Sequence, residues 1–180
     1  MGYTKSIYRR HLQAHDYDTG AHKYIRVIDK KVAGTAGGPS GATTWNVRDL
    51  TDIDVNTGSV ASLDTNKVKL PAGTYMAKVT APAHGAVGVH RVALVDVTAS
   101  PEVKLCVGGT LSGLANAVQP AVVSGMFTLA EESEIEVRHY TANAIVTNGL
   151  GLPADVDSDD EIYTIAEFWM EQDPAAETLV

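Results

Sequence analysis

Residues able to do chemistry are few and poorly arranged in this 180-residue chain. His11 and His15 stand four apart, the spacing with which a helix offers two zinc ligands. No glutamate lies between them to act as general base, and Gln13 cannot replace it. The surrounding residues lack a sustained 3.6-residue pattern, so this pair reads as polar docking surface, and His22 would join it only by accident of folding. Asp155-Val156-Asp157-Ser158-Asp159-Asp160-Glu161 imitates the opening of a calcium loop, but Asp160 occupies the sharp-turn position that needs glycine and Ala166 the twelfth. It reads as a solvated acidic turn. Gly109-Thr110-Leu111-Ser112-Gly113 lacks the spacing of a nucleophile elbow. Cys106 lies in the apolar run Val103 to Val107 and reads as a buried structural thiol. His90 with Arg91, and Arg138 with His139, are neighbours on strands and therefore face opposite ways, with the inward member undecided. No catalytic residue, metal site or cofactor is assigned, and the chain is read as a non-enzyme.

The elements that would carry these residues are short strands. Segments near 45–50, 60–64, 67–70, 74–81, 87–97, 103–108, 122–129, 134–140 and 162–171 are apolar or alternating, and Gly, Pro, Asn and Asp clusters separate them. The predicted fold is an all-β sandwich. In the last strand, Ile162, Thr164, Ala166, Phe168 and Met170 fall on one face, and Tyr163, Ile165, Glu167 and Trp169 on the other. Both faces carry large apolar groups, which points to a subunit interface through Tyr163, Ile165 and Trp169.

The order Leu70-Pro71-Ala72-Gly73-Thr74-Tyr75, then His90-Arg91-Val92-Ala93-Leu94-Val95, Ser124-Gly125-Met126-Phe127-Thr128-Leu129 and Glu136-Val137-Arg138-His139-Tyr140 resembles the tumour necrosis factor-like jelly roll of fibre-head and appendage proteins of tailed bacteriophages. The resemblance spans Trp45 to Glu171. It implies a jelly-roll β-sandwich that closes into a homotrimer.

Charge divides the chain. In residues 1–38, seven lysines and arginines against three aspartates give +4, which leaves −12 elsewhere from a net −8. Residues 1–41 are therefore read as an extended basic anchoring arm ending in a glycine-rich linker, Ala33 to Gly41. Its anchoring residues are Arg9, Arg10 and the alternating strand Tyr24, Ile25, Arg26, Val27 and Ile28. The jelly roll is assigned to 42–173 and a loose tail to 174–180.

The arm's partner is expected to be an acidic protein platform rather than nucleic acid, because no recognition motif accompanies the charge. No run approaches the roughly 18 apolar residues of a membrane span. Met1 to Ser6 have no apolar region behind them, which argues against Sec export, and a single cysteine excludes an internal disulfide framework. With the phage resemblance, these features imply a virion structural protein made in the host cytoplasm. The expected role is a trimeric knob on a capsid or tail platform, foremost a head-decoration or head-fibre protein. The alternative is a receptor-binding tail-fibre or tail-tip protein that recognises host glycan or protein through loops such as 82–88 and 141–160.

Overall fold

The computed structural model describes residues 23–114 and 117–171. Twelve antiparallel strands form two facing sheets, with one 3-10 turn at Gly85–Val87. In chain order they are β1 (Lys23–Lys31), β2 (Thr44–Val47), β3 (Asp52–Asn56), β4 (Ser62–Asp64), β5 (Lys67–Leu70) and β6 (Gly73–His84). They continue with β7 (Val89–Asp96), β8 (Val103–Val107), β9 (Leu111–Ser112), β10 (Val118–Leu129), β11 (Ser133–Thr141) and β12 (Glu161–Met170). One sheet has the order β10-β6-β12-β1-β3. The other runs β4-β5-β11-β7-β8, with β2 also on β11 and β9 on β7. Among the described residues no helix is long and apolar enough to cross a membrane.

Alternation explains the layers. Along β6, Tyr75, Ala77, Val79, Ala81 and Ala83 are buried, while Met76 and Lys78 face out. Its partner β10 answers with Ala121, Val123, Phe127 and Leu129, and the Tyr75 and Phe127 rings stack at 5.6 Å between centroids. Side chains of Val68, Leu70, Val92, Leu94, Ile135 and Val137 close the core from the second sheet. Between β4 and β5, Thr65 and Asn66 both have positive φ, as a two-residue turn matched to strand twist requires. Asn66 also accepts the Leu50 N–H, tying that turn to the chain before β3.

Two expectations are corrected. Tyr24 to Ile28 belong to β1, an interior strand held by β12 on one side and β3 on the other. Ile25 and Val27 are fully buried and Ile28 nearly so. Ile25 and Val27 are core residues, and the sandwich includes Lys23–Lys31 rather than beginning at residue 42. The segment read as a flexible linker is built into the fold. The Gly37 N–H donates to the Gly151 carbonyl, Ser40 and Ile145 exchange backbone hydrogen bonds, and a Cβ on Gly37 would lie 2.6 Å from the Leu150 oxygen. Glycine composition signals close backbone approach as readily as looseness. Arg9, Arg10, His11, His15, His22 and the tail 174–180 lie outside the described residues.

Candidate functional site

Strand register sorts the outward face of the five-stranded sheet into rows. Met126 opposes Met76, Met76 opposes Trp169, and Trp169 opposes Tyr24, an apolar row across β10, β6, β12 and β1. The next row runs Ser124, Lys78, Glu167 and Arg26, and the third Val122, Thr80, Ile165 and Ile28. Met126, Met76 and Val122 are 59%, 49% and 43% exposed. Apolar rows thus flank a charged one on a face that no other strand among the described residues covers. The Tyr24 ring packs tilted against Trp169 at 5.3 Å between centroids, and its hydroxyl donates to Glu167 Oε1 at 2.6 Å. Burial, reinforced by that acceptor, pushes the Tyr24 phenol up to about 12. Arg26 pairs with Asp54 at the β3 edge.

Of the expected interface residues, Ile165 and Trp169 lie half-buried in these rows. Tyr163 does not. Opposite β1, β12 carries one extra residue: Ile28 pairs with Ile165 but Lys30 with Ile162, so Tyr163 and Thr164 together face Asp29. Such a bulge breaks simple alternation. It puts Ile162 on the outer side and buries Tyr163 against Gly37 and Gly151, with its hydroxyl donated to the Thr35 carbonyl. The methionines and valines of β6 and β10 completing the face were missed, although Met76 falls opposite the core residues in the same alternation.

A second constellation is internal. Arg48, after β2, is fully buried and donates to Thr164 Oγ1 at 2.8 Å and to the carbonyls of Leu150 at 2.7 Å and Pro82 at 3.2 Å. Burial among neutral acceptors lowers its guanidinium to about 10. Asp29 faces the same region. Its Oδ1 meets Lys31 Nζ at 3.0 Å, Oδ2 has no partner, and desolvation raises its pKa. The neighbouring pairs are now resolved: His90 and His139 face in, and Arg91 and Arg138 face out. His90 Nδ1 and His139 Nε2 are 3.0 Å apart. Burial, with repulsion from Arg48 and His90, pushes His139 down to about 2. Both rings are sealed from solvent, so this cluster shapes the core and no substrate reaches it.

The other sequence candidates are occupied structurally. Glu161 Oε1 accepts N–H groups from Asp155 at 2.7 Å, Ala154 at 2.9 Å and Gly34 at 3.3 Å, which hold the carboxyl below its usual range. Asp160 pairs with Lys30 at 2.9 Å. No three His, Cys, Asp or Glu side chains among the described residues are grouped to hold a metal. Ser112 lies in β9, paired to β7. Cys106 is half-buried rather than buried, packed over Gly125, and burial raises its thiol pKa.

No family model matches the chain, and no curated protein matches its sequence. Solved structures do match. A crystal structure of murine APRIL at pH 5.0 superposes with a TM-score of 0.56 and 13% identity, covering 83% of this chain and 99% of that one. The globular domain of zebrafish complement 1qA superposes with a TM-score of 0.51 and 10% identity, covering 83% and 98%. Both are jelly rolls. At such identities the likeness concerns the fold alone, and the fold is the TNF-like jelly roll that the sequence resemblance implied.

Proposed function

We propose that this chain is a non-enzymatic, self-associating knob, a trimer whose subunits meet through the five-stranded sheet. The carrying observation is the outward pair of apolar rows, led by Met126-Met76-Trp169-Tyr24. Exposed apolar patches this continuous mark interaction surfaces. The charged row between them, with Lys78 beside Glu167, gives register and partner choice more than affinity. The histidines that the fold brings together are enclosed, which favours a binding or structural role over catalysis.

Within this reading the knob is a virion structural protein of a tailed phage, a head-decoration or head-fibre protein in particular. Its support is the resemblance of the strand sequences to phage appendage jelly rolls. Because Tyr24 to Ile28 are committed to the sandwich, attachment to the particle falls to residues 1–22, with Arg9 and Arg10 meeting an acidic platform. An antibody against the knob would be used on separated phage heads and tails. Labelled heads support decoration, labelled tails support receptor binding, and absence from both ends the particle reading.

A further inference from the structure

The outer face of the seven-stranded sheet holds a group of side chains that the self-association face leaves untouched. Register aligns Trp45 with Tyr140 and Tyr140 with Arg91, one row across β2, β11 and β7. Tyr140 meets Trp45 edge-on at 5.7 Å. The Arg91 guanidinium lies 5.5 Å from the indole centroid, and Lys104 reaches in from β8 to place its ammonium at 4.6 Å. Trp45, Tyr140 and Arg91 are half-exposed and Lys104 is exposed.

These four residues carry donors and no engaged acceptor. Among the described residues, neither cation has an ion pair, and the guanidinium, the ammonium, the indole N–H and the Tyr140 hydroxyl make no side-chain hydrogen bond. Arg138, one row further along, contrasts with them. It holds Glu102 with two hydrogen bonds at 2.6 and 2.8 Å and Glu136 at 2.7 Å. In a chain of net charge −8, two cations beside one indole are left without a carboxylate while their neighbour takes two.

We propose that Trp45, Tyr140, Arg91 and Lys104 form a binding site for an acidic saccharide, a pyranose bearing a carboxylate or sulfate. A guanidinium fork recognises planar oxyanions with two parallel hydrogen bonds. The aromatic pair offers an apolar wall to the C–H face of a sugar ring, with polar tips at its rim. A neutral sugar is a poorer match, because it has no anionic group for the two cations and the Tyr140 hydroxyl is the one acceptor these four side chains offer its hydroxyl protons. Duplex nucleic acid is poorer still, since binding it through 6–10 or so phosphate contacts needs more than two free cations. The site lies on the sheet opposite the proposed subunit interface and rests on no part of that reading.

The test uses the full-length Trp169→Phe protein, so that Trp45 is the remaining fluorescent indole. Hyaluronan hexasaccharide supplies carboxylates alone, carrageenan hexasaccharide sulfates alone, and maltohexaose neither. At least one acidic sugar should change Trp45 emission saturably, with affinity falling as salt rises, and maltohexaose should bind about tenfold more weakly or not at all. Arg91→Gln and Lys104→Gln should each cost about tenfold in affinity, the loss of a charge-assisted hydrogen bond, with unchanged thermal melts. Which acidic sugar binds tells carboxylate from sulfate recognition. No response at millimolar sugar, equal binding of maltohexaose, or full binding by both variants would overturn the proposal. Equally tight binding of poly-glutamate would also overturn it, in favour of an acidic protein partner.

Discussion

His90 Nδ1 lies 3.0 Å from His139 Nε2 inside the sandwich, the outer nitrogen of His139 has no hydrogen-bond partner, and the neutral Gln119 side chain lies beside His90. One ring must donate and the other accept, which a neutral pair satisfies and a doubly protonated pair cannot. Arg48 adds a fixed positive charge on the His139 side. Asn46 on β2, Thr141 on β11 and Thr164 on β12 contribute only neutral groups nearby, and the Asp29 carboxylate is engaged by Lys31.

The histidine pair makes stability depend on pH. Burial depresses both folded-state pKa values, so the unfolded chain takes up protons first as pH falls. Stability is full above the ordinary histidine pKa of about 6.5 and declines below it, by up to about 1.4 kcal/mol per pH unit for each proton. Asp29, with a raised pKa, acts in the opposite sense at lower pH. Urea midpoints should therefore drop between pH 7.5 and 5.5, and His139→Gln should flatten that drop. An unchanged midpoint in the wild-type protein over this range would refute the account.

β1 is required for folding. Ile25→Ala and Val27→Ala each remove fully buried methyl groups and should cost about 2–4 kcal/mol. A chain starting at residue 39 would leave β12 and β3 without their shared partner and should show no cooperative melt by circular dichroism. A sharp transition in that truncation would restore a separable arm.

Two glycines in regions of similar composition should behave differently. Gly37→Ala drives a Cβ into the backbone of Leu150 and should destabilise by about 1–3 kcal/mol. A Cβ on Gly109 meets nothing within 4 Å, so Gly109→Ala should be neutral or slightly stabilising. Equal thermal melts for the two variants would mean that the 33–41 segment is not packed as described.

The subunit interface can be broken from outside. Met76→Asp with Met126→Asp places charges in the apolar row without touching the core. Light scattering should show the wild type at three times the 19.0 kDa chain mass and the variant at one, with secondary structure retained. A wild-type protein at the mass of one chain removes the trimer from the reading.

Much of the sandwich was legible because β6 and β10 alternate cleanly and β11 and β12 are apolar runs set between turn residues. β3, Asp-Ile-Asp-Val-Asn, was not predicted. Its acidic, low-propensity residues become a strand through pairing with β1, a non-local cause that no short window contains. Tyr163 was put on the wrong side because a bulge shifts the phase of β12, and a strict period of two has no place for the extra residue. Arg48 was not singled out, since an arginine near a strand end ordinarily stays in solvent. The Trp45 row needed the registers of three strands before its members could be seen together.

The pairing of β1 with β12 also bears on the order in which the chain can mature. Tyr24 and Glu167, joined by one hydrogen bond, are 143 positions apart. On a ribosome, Ile25 and Val27 can pair with β3 soon after synthesis, but their other edge stays open until β12 has been made. Domains dominated by such distant pairings fold slowly and expose apolar segments meanwhile. The nascent chain therefore carries β1 with one edge unpaired until β12 is made, and the β6-β12-β1-β3 order of the five-stranded sheet is completed only then.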